Sequence, residues 1–302
     1  MSHRLLILVA LLVVVATLLF MRLPVPPTYM GRTIENAGHM PVFFLVTIGL
    51  LIVLRTDFRV EGVRLYALAG LIGAGLGFLT EVIQRPLARD ASWEDVFSDT
   101  VGALCALAMY ALFDRRTRIP RATWLVALVT ALGCVAFYVT PLVRMTVAYV
   151  HRNGQFPILA DFRSPIEPFW TVGYGTNRAL KGDALEVEFV GGPWPGVSLH
   201  EPVPDWSAYE TLLIDVENPD TMKLGLTVRI HDRGHWQNYS DRFNRHFELG
   251  AGERRTLRID LRDVERAPKG RLMNMRQISN IALFRDSKEG ARRVRIYTLR
   301  LE

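Results

Sequence analysis

The chain has 302 residues, half of them hydrophobic, with 36 basic and 30 acidic side chains and a net charge of +6. The charge is uneven: residues 1–152 hold 14 arginines and 9 acidic groups, leaving 22 basic and 21 acidic groups for 153–302. The excess lies in the apolar half, which argues for membrane-topology signals and against nucleic acid as a partner. The two cysteines, Cys105 and Cys134, both sit in apolar runs, so no disulfide framework holds the soluble half together.

In chain order, a short basic start is followed by an apolar run over 5–21, read as a retained signal anchor because no A-x-A-like cleavage site follows it. Four more spans are expected near 38–54, 65–84, 96–113 and 122–143, which makes five transmembrane helices. Pro141 is expected to kink or end the last of them. Arg4, Arg55, Arg59, Arg64, Arg115, Arg116, Arg118 and Arg121 fall on one side of this arrangement. That side is read as cytoplasmic, together with the N-terminus, and the odd span count places the C-terminus outside. Gly73 and Gly77 form a small-xxx-small pair suited to close helix packing.

The code changes from about Phe156. Stretches such as DALEVEFV, LLIDVE, LGLTVRIHD, TLRIDLRD, ISNIALFRD and RRVRIYTLRLE alternate apolar and polar residues with period two. Leu224, Leu226, Val228 and Ile230 share one face, and so do Leu257, Ile259 and Leu261. The expected fold class is therefore an α-helical membrane bundle over 1–150, a linker over 151–157, and an all-β jelly-roll-like sandwich over 158–302.

Two groups of residues carry chemistry. The first gathers at the outer membrane face: His39 at the start of span two, Glu81 and Gln84 at the end of span three, Arg89 in the connector, and Asp95 and Asp99 at the start of span four. Ionisable groups at this depth face a protein interior or a water-filled cavity. A structural lock, a binding site for a lipid or polar head group, and acid–base chemistry by His39 and Glu81 all stay open for this cluster. The second group lies in the outer domain, where Trp236, Tyr239, Asp241 and Arg242 form a polar, aromatic loop; its rings either cap the edge of the sandwich or stack on a sugar whose hydroxyls the polar groups bond. Trp194 lies in the turn GGPWPG, and Trp206 reads as core. His231 and His235, four apart in what reads as a loop, lack a clear third ligand. No metal site and no cofactor are expected.

His39, Glu81-Val-Ile-Gln84, Arg89, Asp95 and Gly102 together resemble the VanZ-like family over about 30–113. The family often has Lys where this chain has Asn36, and Asn where it has Asp99. The resemblance implies a small polytopic protein of the bacterial inner membrane and cell envelope, some members being linked to glycopeptide (teicoplanin) resistance. It implies a lipid bilayer as surroundings, and a glycan, peptidoglycan precursor or lipid head group as ligand. DWSAYETLLIDVENP, LTVRIHD, DRFNRHFELGAGERRTLRIDL and GRLMNMRQISNIALF resemble the galactose-binding-like carbohydrate-binding modules over 158–302. The combined expectation is a non-enzymatic membrane protein that presents a glycan-binding domain. A lipid-head-group enzyme and a structural anchor for a protein partner are the alternatives.

Overall fold

A computed structural model describes residues 27–84, 93–114, 120–236, 238–285 and 292–302, together with Leu6, Val9, Leu12 and Val13. The chain divides into two compact units, 1–146 and 147–302.

In the first unit, Thr28 caps α1 (Tyr29–Ala37), its hydroxyl accepting from the Gly31 N–H. Gly38 joins α1 to α2 (His39–Thr56). Then come α3 (Val63–Gln84), α4 (Trp93–Phe113) and α5 (Arg121–Gln155). Among the described residues, four helical stretches are long and apolar enough to cross a membrane: Tyr29–Thr56, Val63–Thr80, Trp93–Phe113 and Arg121–Gln155. The span expected over 5–21 lies almost wholly outside the described residues.

Small residues set the packing. A Cβ added at Gly73 would lie 2.7 Å from the Thr47 hydroxyl of α2, and one at Gly77 would lie 2.8 Å from the Asp99 Cβ of α4. At Gly102 it would lie 2.4 Å from the Met40 carbonyl oxygen, so α4 meets the backbone of α2 directly there. Small residues at these three positions let the helix backbones approach closely. At the other end of α2, Arg55 pairs with Asp114 at 2.9 Å and donates to the Tyr110 hydroxyl at 3.0 Å.

Helix α5 departs from expectation. It runs through Pro141 to Gln155, so the proline does not end it, and 151–155 form its last turns rather than a linker. Thr140 and Thr146 donate from their hydroxyls back to the carbonyls of Ala136 and Leu142 on either side of it.

The second unit is a two-sheet β-sandwich. One sheet runs β3 (Thr176–Lys181), β4 (Ala184–Phe189), β11 (Arg293–Leu301), β6 (Thr211–Glu217), β9 (Arg254–Asp260), with β1 (Ile158–Ala160) also paired to β11. The other runs β2 (Thr171–Tyr174), β5 (Gly196–His200), β10 (Ile278–Arg285), β7 (Leu224–Asp232), β8 (Phe243–Leu249). Every strand pair is antiparallel. The core forms because the period-two apolar sets face inward: Leu185, Ile214, Ile259 and Ile296 from one sheet, Leu226, Ile230, Ile281 and Leu283 from the other, all buried. Trp206 is fully buried, its indole N–H donating to the Val203 carbonyl. Leu261 is not on a strand. Asp260 caps a five-residue helix, α6 (Leu261–Glu265), at that point, and Leu261 reaches the core from its first turn.

The outer face of the six-stranded sheet is a lattice of opposite charges. Glu186 takes Lys181 at 2.5 Å and Arg295 at 2.9 Å. Arg295 also reaches Glu217, which accepts from the Tyr297 hydroxyl. Arg254 stacks over the Tyr297 ring and pairs with Asp215 at 2.8 Å.

Candidate functional site

The five-stranded sheet presents a different outer face, and strand register shows how it is built. Alternation turns Leu226, Val228 and Ile230 inward and therefore Thr227, Arg229 and His231 outward. His200, Asn280 and His231 stand side by side across β5, β10 and β7. The next row reads Val172, Ser198, Ala282, Arg229, Asn244, and the one after it Tyr174, Gly196, Phe284, Thr227, His246. The middle of the face is floored by the small, buried residues Ser198 and Ala282. Gly196 must be glycine, since a Cβ there would sit 2.5 Å from the Phe284 Cβ.

Larger side chains rise around that floor. The Tyr174 hydroxyl lies 3.3 Å from His200 Nε2, and this pair brackets Ser198. Arg229 lies over the Phe284 ring and donates through Nε to the Asn244 Oδ1 at 3.4 Å. Trp194, largely exposed, meets Phe284 edge to face. Beyond β7, Trp236 and Tyr239 are 86% and 71% exposed. Arg242 stacks against Tyr239.

The loop that carries these rings is pinned from beneath. Arg271 grips Asp232 through both terminal nitrogens, at 2.6 and 2.8 Å, and gives its Nε–H to Asp241 at 2.6 Å. Asp232 also accepts the Asn274 N–H, and Asp241 accepts the Trp236 N–H. Burial alone would raise the Asp232 carboxyl; the Arg271 and Asn274 hydrogen bonds outweigh it and hold the group below its ordinary value. Asp241 is likewise lowered, chiefly by its hydrogen bond to Arg271.

Of the four residues expected to hold sugar, Trp236, Tyr239 and Arg242 are therefore displayed, whereas Asp241 is engaged as an anchor beneath them. His231 lies on β7 and not in a loop, its ring stacked 4.5 Å from that of His235. Among the described residues, no three His, Cys, Asp or Glu side chains are gathered as metal ligands. Sequence reading missed Arg229, Asn244, Asn280, His200 and Tyr174. They come from strands far apart in the chain, and only their register makes them neighbours.

The first unit brings together part of the outer-face cluster. His39 Nδ1 is 3.0 Å from Asp99 Oδ1, and His39 Nε2 is 4.0 Å from Asp95. Asp99 is buried, packed against Gly77, while Asp95 lines a cleft of about 560 Å³ with Asn36, Met40, Trp93, Phe97 and Tyr138. Asp95 also sits in the first turn of α4, where a carboxylate favours the helix dipole. Glu81 and Gln84 fall in the last turn of α3 with their side chains outside the description, and Arg89 lies outside the described residues.

No family model matches the chain, and no curated protein matches it. Solved structures do. The agarase AgWH50C matches with 16% identity and a TM-score of 0.40 over 48% of this chain and 26% of the agarase. A family 11 carbohydrate-binding module from Clostridium thermocellum, solved with a β-1,3-1,4-mixed-linked tetrasaccharide, matches with 12% identity and a TM-score of 0.38 over 48% of this chain and 93% of the module. A family 29 carbohydrate-binding module matches with 16% identity and a TM-score of 0.34 over 47% of this chain and 86% of the module. The chain thus spans about a quarter of the agarase. At these identities and scores the likeness concerns β-sandwich fold alone.

Proposed function

We propose that the chain is a VanZ-like integral protein of a bacterial cytoplasmic membrane that displays a glycan-binding β-sandwich on the outer side and serves the cell envelope. The observation that carries the glycan reading is the outer face of the five-stranded sheet. A floor of small residues is edged by planar polar groups, Trp194 meets Phe284 on that face, and the exposed rings of Trp236 and Tyr239 are carried on the loop that follows β7. Flat apolar surface next to fixed hydrogen-bonding groups is what a sugar ring, apolar on its faces and polar at its rim, requires. The membrane reading is supported by the four apolar helical stretches and by the arginine bias of the sequence.

Purified full-length protein in lipid nanodiscs is expected to be retained on peptidoglycan or on members of a glycan array. Trp236→Ala with Tyr239→Ala should weaken that retention by roughly tenfold or more, as removal of central aromatic anchors does. Capture of a protein from the envelope fraction, with no glycan retained by the wild type, would make the sandwich an anchor for a protein partner and end the glycan reading. Alkaline phosphatase fused after Glu302 should be active in cells; an inactive fusion that is made and stable would place the sandwich in the cytoplasm.

A further inference from the structure

The face described above has an unbalanced charge. Its two arginines, Arg229 and Arg242, have no carboxylate partner among the described residues. Arg229 has the Asn244 amide and the Phe284 ring. Arg242 has the Tyr239 ring, and its Nε–H is buried without an acceptor. Both are half-buried. Burial pushes each guanidinium below its ordinary value, and Arg242's positive charge adds to the effect on Arg229. On the strands of this sheet, the one described carboxylate projecting from the same face is Glu248, opposite Gly225 near the far end of β7. Asp241, nearest in sequence to Arg242, is taken by Arg271.

Elsewhere in the sandwich Arg233, Arg255, Arg258, Arg266 and Arg276, without a carboxylate partner among the described residues, stand exposed to water. Arg295, Arg254, Arg293, Arg245 and Arg271 each meet a carboxylate within 3.2 Å. The contrast matters because a neutral sugar offers hydroxyls that donate as well as accept. Sites for neutral sugars therefore rely on carboxylate and amide acceptors; among the described residues this face has the amides of Asn244 and Asn280 but no acid beside its guanidiniums, and a guanidinium only donates. Two partly desolvated guanidiniums with no acid between them suit a ligand that brings acceptor oxygens and negative charge together. Arg242 covers one side of Tyr239, and that ring is still 71% exposed, which leaves its other side for a sugar.

We propose that the ligand of this face is an acidic glycan of the uronic-acid type, its carboxylates held by Arg229 and Arg242 and its rings stacked on Tyr239 and Trp236. This rests on the glycan reading above and adds the charge of the sugar to it.

The test compares an oligogalacturonate with the same oligosaccharide after its carboxyls have been reduced to neutral alcohols, titrated into full-length protein in nanodiscs. Polyglutamate serves as an anion without sugar. The acidic sugar should bind about tenfold tighter than its reduced counterpart. The gap should narrow as salt is raised. It should close in Arg229→Gln with Arg242→Gln, provided that the variant's circular dichroism matches the wild type. Equal or tighter binding of the reduced sugar overturns the proposal and leaves the glycan reading standing. Polyglutamate bound as tightly as the oligogalacturonate overturns it too, since charge alone would then explain the binding. If neither sugar binds, the acidic-glycan proposal falls, and the glycan reading is decided by the peptidoglycan and array retention described above. The comparison of the two sugars on wild-type protein decides the matter even if the double variant does not fold.

Discussion

Gly102→Ala is expected to cost the helical unit about 3 kcal/mol, while Gly75→Ala and Gly133→Ala leave it unchanged or slightly more stable. The difference lies in what the new methyl meets. At Gly102 it would arrive 2.4 Å from the Met40 carbonyl oxygen, which is backbone and cannot swing aside; at Gly75 and Gly133 nothing lies within 4 Å. Helices α2 and α4 would have to separate by most of an ångström. Met40 follows His39, and Gly102 lies three residues after Asp99, so the same shift would pull apart the 3.0 Å contact between His39 and Asp99. Thermal unfolding of the purified protein in detergent, with each alanine variant beside the wild type, checks this. Three equal midpoints would show that close approach at Gly102 contributes nothing.

The second large effect is expected in the sandwich. Arg271→Ala should destabilise it by about 3 kcal/mol, because it strands a buried carboxylate. The Asp232 side chain is 1% exposed and would keep the Asn274 N–H but no cation. Lysine at position 271 should recover part of the loss, since an ammonium cannot reproduce the fork that spans both Asp232 oxygens and Asp241. The pH dependence follows from the direction of the shifts. Asp232 and Asp241 are both lowered in the folded protein. Their contribution is complete above the unfolded carboxylate value of about 4 and is lost as pH falls through the lower folded values. In Arg271→Ala that acid-labile component should be missing. Unfolding scans from neutral to acid pH measure it, and parallel curves for variant and wild type would refute the account. Glycan retention should fall as well, because Asp241 ties Arg271 to the backbone of Trp236.

How much of this the sequence discloses depends on how far apart the partners are. Leu224, Leu226, Val228 and Ile230 announce a half-buried strand by alternation alone, and β7 holds all four in the core. FNRHFEL is harder to read, because its inward positions include Arg245, which leaves the core to pair with Asp263. TVGY is too short to show a period, and GVSLH is hidden behind the turn residues that precede it. Leu261 kept the apolar rhythm of its strand but not the strand, since Asp260 caps a helix at that point. The rings of Trp236 and Tyr239 stand out in a polar loop. The groups beside them do not: Arg229, Asn244 and Asn280 look like ordinary outward residues of three separate strands until register places them together. In the helical half, Gly73 and Gly77 were readable because small residues four apart mark a helix contact. Of the two outcomes expected at Pro141, a kink or an end, the end does not occur, since helix α5 continues to Gln155.

The charge lattice on the six-stranded sheet has a consequence for recognition. Lys181, Glu186, Arg295, Glu217, Arg254 and Asp215 satisfy one another across five strands. Any partner approaching there would have to break bonds already made and would gain little in exchange. The opposite surface withholds that compensation at Arg229 and Arg242. On the function proposed above, the sandwich has a front and a back: one side whose charges are largely spent on one another, and one that keeps Arg229 and Arg242 for its ligand.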